Sequence, residues 1–526
     1  VKRAIVGLWL VPLVVAAVFW FWPPRGDDSY HHAINAVEQV RAWQEGALFP
    51  RYHRAWNGGT GTFVPTIYSP IPLSIQGGLA WLIGDGQRAV GVSLALALLV
   101  TGIALGRWSG MPSSIVVMVA PYILALSLSR STTTEAWSMA GAAIVLPLAL
   151  PSAGKSRGRG LALALGIVLV AGCQVGVLLQ LAWLLAVAWV VSRVVSSKEP
   201  QWMVTADSRQ MAGVLGWSLA GLLTAAVLWL PAVMDAKHLA VRELVTGSYD
   251  WRDNFLPDAA GMGLFLTVTA TCLLVIACIV AARGEGTRRF TLAAVIVTGV
   301  FFSTPLSTPL WHLPKMENLQ FPWRFLGPAT LVAVVAVAGL RGRAKTAAIV
   351  ILLAPLALLP VNIGTGSDRV PTSSTPEELA KIGWQRWNLV PTLPTTGGLY
   401  APEFHRLESL RQLDRQRPRV EVIERDVHGG EWRVVVAQPT RVLLPLQWWP
   451  EWRIEADGRE FEFFNVSGLV GFDAETESVA VRASLKPSRS RAIGWVLSLV
   501  GVIVLVALAC AWRNDRPSPD LGEEHA

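Results

Sequence analysis

Phe19-Trp20-Phe21-Trp22-Pro23-Pro24-Arg25-Gly26-Asp27-Asp28-Ser29-Tyr30-His31-His32 marks the point where an apolar run over 4–22 gives way to a polar segment reaching Tyr68. An apolar run of membrane length behind Lys2-Arg3 has two readings, a secretory leader or a retained helix. No small-x-small cleavage pattern follows, and the Trp- and Pro-rich exit is a poor cleavage context, so a retained first span is expected. The acids and imidazoles of 27–32 then open a polar segment around which the rest of the chain is organised.

Composition supports a membrane class. Of the 526 residues, 52% are hydrophobic and only 16% charged, with a mean hydropathy of +0.44. Soluble domains carry roughly 25% charged residues. The net charge of +8 would suit nucleic acid only if the basic residues gathered on one folded face. Many fall instead in short turns between apolar runs, so no nucleic-acid partner is expected. The cysteines at 173, 272, 278 and 510 lie within apolar runs, without metal-site or disulfide spacing, and read as small buried hydrophobes. The 24 tryptophans suit anchoring at a membrane interface.

About twelve spans are expected, at 4–22, 87–106, 112–129, 136–150, 160–175, 177–192, 211–230, 260–281, 290–303, 325–340, 346–361 and 492–512. Gly172-Cys173-Gln174 marks the break within the 160–192 block, because a polar amide at that depth wants a partner. With Lys2-Arg3 in the cytoplasm, alternation gives every inner connection at least one basic residue, from Arg107 through Lys155, Arg193, Arg283 and Arg341 to Arg513. That satisfies the positive-inside rule. Both termini are therefore expected in the cytoplasm, and the outer face receives 23–86, 130–135, 231–259, 304–324 and 362–491. All histidines except His525 fall in these outer segments.

The domain expectation follows. Residues 1–361 form a helical membrane domain with a large first outer loop, 23–86, and 362–418 form an outer linker with a short helix over 403–417. From Arg419 the hydrophobic period changes to two, as in Val420/Val422 and Trp432/Val434/Val436, with turns such as Asp457-Gly458. Residues 419–489 therefore read as a small extracytoplasmic antiparallel β-domain, before a final span at 492–512 and a cytoplasmic tail, 513–526.

Chemistry-bearing residues concentrate in the outer segments. Asp28 can cap the helix that follows it, or serve as a general base; two adjacent acids on a helix start cannot point the same way, so Asp27 and Asp28 divide between those duties. A divalent cation (Mg, Mn or Ca) held by Asp28 and His32 is a further expectation, although no His-x-x-x-His spacing is present. His31, Arg51 and Tyr52 extend the group, and Asn57-Gly58-Gly59-Thr60-Gly61-Thr62 lacks the lysine a nucleotide loop requires. Arg130 and Glu135 flank a short turn and can pair with each other. Lys237, His238 and Arg242 make the 231–259 loop cationic, and His312, Gln320 and Arg324 stand at the mouth of a span. Arg324 can snorkel to lipid or fork onto a bound phosphate. Carboxylates facing cations suit a substrate with a lipid tail and a surface phosphate.

Several stretches resemble the bacterial integral membrane family labelled "6-pyruvoyl-tetrahydropterin synthase-related", which stands with the YfhO-like and other GT-C glycosyltransferases. They are Asp27-Asp28 through His32, Gly46-Ala47-Leu48-Phe49-Pro50-Arg51-Tyr52, Pro70-Ile71-Pro72-Leu73, Tyr122 with Arg130 and Glu135, Trp229-Leu230-Pro231-Ala232, Leu310-Trp311 to Leu326, and Trp449-Pro450-Glu451-Trp452 with Asp457-Gly458. No pterin-synthase signature is present. The resemblance implies a GT-C-like fold, a polyprenyl-phosphate sugar donor and a catalytic acid in the first outer loop, a role that falls on Asp27 or Asp28. Gln174 stands where related proteins often carry a histidine. The expected activity is inverting transfer of a sugar to an envelope glycan, lipid or protein acceptor, with membrane lipids around it and an envelope-assembly protein as a further partner. The rival readings are a lipid or polysaccharide flippase and a non-catalytic assembly scaffold.

Overall fold

The computed structural model describes residues 2–26, 28–56, 61–67, 70–150, 159–196, 202–235, 250–259, 262–286, 288–314, 316–361, 370–375, 378–379, 419–466, 469–475 and 478–514. It consists of an apolar helical body and a small β-domain joined to it by the first polar segment. Helix α1 (Lys2–Phe21) leads to α2 (Ser29–Gln44), α3 (Pro70–Ile83) and α4 (Gly86–Ser109). Asp85 caps α4, its carboxylate accepting from the Gln87 (2.8 Å) and Arg88 (3.1 Å) amides. Then come α5 (Met111–Met118), α6 (Pro121–Ala125), a π-helical turn at Leu126–Arg130, α7 (Thr133–Ala149), α8 (Arg159–Cys173) and α9 (Val175–Ser196). The break between α8 and α9 falls at Gln174. The body continues with α10 (Trp202–Thr224), α11 (Ala226–Met234), α12 (Gly263–Arg283), α13 (Arg288–Phe302), α14 (Leu326–Ala338) and α15 (Gly342–Leu353), and the chain closes with α16 (Arg489–Asn514).

This is a polytopic membrane fold. Four described helices are long and apolar enough to cross a bilayer: Gly86–Ser109, Val175–Val195, Gly263–Arg283 and Arg489–Ala511. Three further pairs qualify only if each bent pair is one span, with bends of 50° at Met111–Met118/Pro121–Arg130, 73° at Gln210–Thr224/Ala226–Met234 and 89° at Arg288–Phe302/Pro305–Trp311. Shorter apolar helices include Trp9–Phe21, Pro70–Ile83, Arg159–Cys173 and Pro322–Ala338, so a count of about twelve rests on the sequence alone. Helix α3 arises inside the segment expected as outer loop. Bends in apolar surroundings need partners for the backbone groups they release. At the 73° bend the Val227 amide donates to Ser498 Oγ of α16 (2.9 Å). Gly494 and Gly501 let α16 lie directly against the α10–α11 backbone, since a Cβ on Gly494 would sit 2.9 Å from Val227 Cα.

The β-domain has two antiparallel sheets. Strands β1 (Arg419–Asp426), β2 (Gly429–Val435), β8 (Ser478–Leu485), β4 (Trp452–Ala456) and β5 (Arg459–Glu460) form one, and β3 (Thr440–Gln447), β7 (Leu469–Ala474) and β6 (Phe464–Val466) the other. Residues 461–463 belong to no strand and link β5 to β6. Trp432, Val434, Val442, Leu444 and Val481 are fully buried between the sheets, as alternation in their strands requires. Two side chains in this core come from the first polar segment. The Phe63 ring stacks on Trp449 (centroids 4.3 Å apart), and Tyr52 packs edge-on to Trp452 (5.5 Å). Glycine is required at 61, where φ is +85° and a Cβ would run into the Tyr52 ring.

Candidate active site

Asp28 precedes α2 but does not cap it with its side chain. Its carboxylate turns across to the 130–132 segment, where the Thr132 hydroxyl donates to Oδ2 (3.0 Å). The main chains are joined as well, Asp28 N–H donating to Arg130 O (3.3 Å) and Gly26 N–H to Ser131 Oγ (3.2 Å). Gly26 permits this approach, because a Cβ there would run into the Arg130 main chain. The expected division of duties therefore shifts. Asp28 makes tertiary contacts instead of a cap, and Asp27 lies outside the described residues.

Arg130 is delivered by the π-helical turn, after which Ser131 adopts the left-handed conformation (φ 57°). Arg324 lies in a 3-10 turn, Pro322–Phe325, shortly after Gln320, which has φ 61°. Only one other described non-glycine residue, Asp457, has positive φ. Backbone strain of this kind persists where surroundings enforce it, commonly at functional sites. Both arginines close on Glu135 in the first turn of α7. Its carboxylate is fully buried; Oε1 accepts from the Tyr122 hydroxyl (2.7 Å), and Oε2 lies 3.7 Å from Arg130 Nη1 and 3.3 Å from Arg324 Nε. Aromatic faces complete the setting, with Arg130 Cζ 4.7 Å from the Trp323 ring centre and Arg324 Cζ 4.5 Å from that of Phe321.

Asp28 Oδ2 stands 3.8 Å from Arg130 Nη2, so charges alternate along Asp28, Arg130, Glu135 and Arg324. Buried charges persist when paired in this manner. Burial pushes the Asp28 carboxyl up, but Arg130, the neighbouring imidazoles and the Thr132 hydroxyl outweigh it, and the net shift is downward. Burial lowers His31 to about 3 and His32 to about 4. Both rings are therefore neutral at pH 7, and Arg130 is the cation that keeps Asp28 ionised.

The rest of the α2 polar face anchors the first segment. Asn35 Oδ1 accepts from Trp56 Nε1 (2.9 Å) and lies 2.9 Å from His53 Nδ1. Trp Nε1 can only donate, which fixes the amide orientation and places a proton on His53 Nδ1. Glu38 Oε2 accepts from the Arg54 and Ala55 amides (2.6 and 3.1 Å). His31, Asn35 and Glu38 follow i, i+4, i+7 spacing on a buried face, a signal present in the sequence of which only His31 was among the expected site residues.

The expected site thus divides. Asp28, His31, His32, Arg130, Glu135 and Arg324 gather here, with Gln320 half-buried beside Phe321. Arg51 and Tyr52, expected to bind substrate, are engaged with the β-domain: Arg51 pairs with Glu451 (3.0 Å) and donates to Lys486 O (2.7 Å), while the Tyr52 hydroxyl accepts from Arg425 (2.6 Å). His312 is exposed, its ring edge-on to Trp251 (5.3 Å). Lys237, His238 and Arg242 lie outside the described residues. Among the described residues no group of three or more His, Cys, Asp or Glu side chains converges to hold a metal ion. Arg130 supplies positive charge beside Asp28.

The chain is similar to a mycobacterial arabinofuranosyltransferase. The solved structure is AftD from Mycobacteria, with a TM-score of 0.39 and 16% identity, covering 78% of this chain and 28% of that one. No family model matches the sequence. No curated protein matches it. An ionised carboxylate beside two guanidiniums fixed by a buried acid can take a proton from a hydroxyl while the guanidiniums receive a phosphate.

Proposed function

We propose that the protein is an inverting glycosyltransferase of GT-C type, acting at the outer membrane face on a polyprenyl-phosphate sugar and an envelope glycan, lipid or protein acceptor. The observation that carries this reading is the Asp28–Arg130–Glu135–Arg324 arrangement, which presents one carboxylate and two fixed guanidiniums together. The donor phosphate docks on Arg130 and Arg324. At 3.8 Å, the Arg130–Asp28 contact is long enough to yield to that phosphate. Drawing the guanidinium away raises the basicity of Asp28 as the donor arrives. Asp28 then takes the proton of the acceptor hydroxyl, whose oxygen attacks the anomeric carbon from the face opposite the phosphate. The carbon–oxygen bond to phosphate breaks, its electron pair leaves with the phosphate, and the arginines stabilise the charge that forms. Configuration at the anomeric carbon inverts.

The test is to incubate the purified protein with polyprenyl-phosphate sugars and envelope glycan acceptors, following product configuration by NMR. Transfer with inversion is expected. Retention, or turnover that persists at the wild-type rate in Arg130→Ala/Arg324→Ala, overturns the mechanism. Labelling of single cysteines placed in 419–489 by an impermeant reagent on intact cells tests the sidedness.

A further inference from the structure

A second site lies at the far end of α2. A small cleft, open to the surroundings, runs between the end of α2, the 49–50 and 65–66 segments, α3, α11 and α16. Gln39, Thr66, Ser74 and Arg491 line it with polar atoms, and Leu228 and Trp495 are among its apolar walls. Gln39 follows Asp28 by eleven residues of helix, roughly 16 Å of rise, so the cleft is separate from the acid–arginine cluster.

Arg491 gives this cleft its preference. It occupies the first turn of α16, whose Val496, Leu499 and Ile503 are exposed, as on a lipid-facing helix. Its guanidinium donates to Phe49 O and to Pro50 O (3.1 Å), both neutral acceptors. The nearby carboxylates are engaged elsewhere, Glu451 with Arg51 (3.0 Å) and Asp235 with the Ser490 hydroxyl (2.8 Å). Among the described residues no carboxylate oxygen lies within 4.0 Å of Arg491, and its charge faces the cleft uncancelled by a direct partner. Trp495, one turn on, is 55% exposed at the same wall. A forked cation beside an exposed tryptophan at the end of an apolar helix matches the chemistry of a phospholipid headgroup above its acyl chains.

We infer that this cleft binds the headgroup of an anionic phospholipid. The phosphate sits on Arg491, the headgroup polar atoms meet Gln39, Thr66 and Ser74, and an acyl chain follows Leu228 and Trp495 along α11 and α16. Because Arg491 also holds the Phe49 and Pro50 carbonyls, the bound lipid fastens the first polar segment to the last helix. This inference depends on the membrane fold and not on the transferase reading.

The experiment is thermal unfolding of the delipidated protein in neutral detergent, with phosphatidylglycerol, phosphatidylcholine or inorganic phosphate added. A ligand selective for the folded state raises the midpoint. Phosphatidylglycerol is expected to raise it by a few degrees, phosphatidylcholine less, and inorganic phosphate not at all. Ser74→Phe, which fills the cleft and keeps Arg491, should abolish that shift. Native mass spectrometry should show fewer retained phosphatidylglycerol molecules on Arg491→Gln than on wild type, which decides the matter even if Ser74→Phe does not fold. Equal shifts for the two lipids, a shift with phosphate alone, or lipid retention unchanged in Arg491→Gln overturns the inference.

Discussion

Arg130 and Arg324, far apart in the sequence, converge on a single oxygen, Glu135 Oε2, at 3.7 and 3.3 Å. Glu135 itself is fully buried and tied to Tyr122, so it sets where both guanidiniums stand.

Replacing that acid removes the only negative charge the two arginines share among the described residues. Breaking a buried ion pair on one side costs about 3–5 kcal/mol. Glu135→Ala is expected to lower stability by that order in chemical denaturation. Glu135→Gln should retain the Tyr122 contact and lose less. Near-wild-type stability of the alanine variant would show that the arginines are compensated elsewhere.

The proposed base is tested by Asp28→Asn. General-base removal typically costs 10²–10⁴-fold in rate. Turnover should fall by about that factor while the melting temperature stays within a few degrees, since Asn can still accept from the Thr132 hydroxyl. Full turnover in the purified variant rules Asp28 out of the proton transfer.

Acid should weaken the folded protein within a definite window. Burial lowers His31 to about 3, and His32 and His53 to about 4, from an ordinary value of 6.5. Between those values the unfolded chain binds protons that the folded chain refuses. Their contribution is therefore fully present above pH 6.5 and declines as pH falls toward 4. Each such histidine adds up to about 1.4 kcal/mol per pH unit in that window. Unfolding measured from pH 7.5 to 4.5 should show this decline, with a shallower slope in His53→Gln. A flat profile means that the imidazoles are not held neutral by burial.

Phe63 makes the seam between the body and the β-domain testable. Its fully buried ring stacks on Trp449, and its amide donates to Gln447 Oε1 (3.1 Å). Phe63→Ala should cost about 3–5 kcal/mol and expose the 419–489 region to limited proteolysis. Unchanged cleavage kinetics would mean that the seam holds without it.

Apolar runs and period-two alternation made the helical body and the β-domain legible, because both signals are local. The acid–arginine group was partly legible. Asp28, Arg130, Glu135 and Arg324 each stand at a span boundary, where charge is conspicuous. Arginine and tyrosine in a polar loop, as at Arg51 and Tyr52, have the composition of a binding site, and nothing local reveals that Glu451 and Arg425 engage them. The helix bends and the left-handed Ser131 and Gln320 were not legible either. They arise from packing around the turns, and neither residue type announces positive φ.

Tyr52 and Phe63 also decide what counts as a domain here. A gene fragment encoding only 419–489 would produce two sheets with an empty socket in place of those rings, and the exposed Trp449 and Trp452 would favour self-association. The smallest self-sufficient β unit is therefore discontinuous in sequence, and a swap of this region between homologues would succeed only if the segment around 51–63 travels with it.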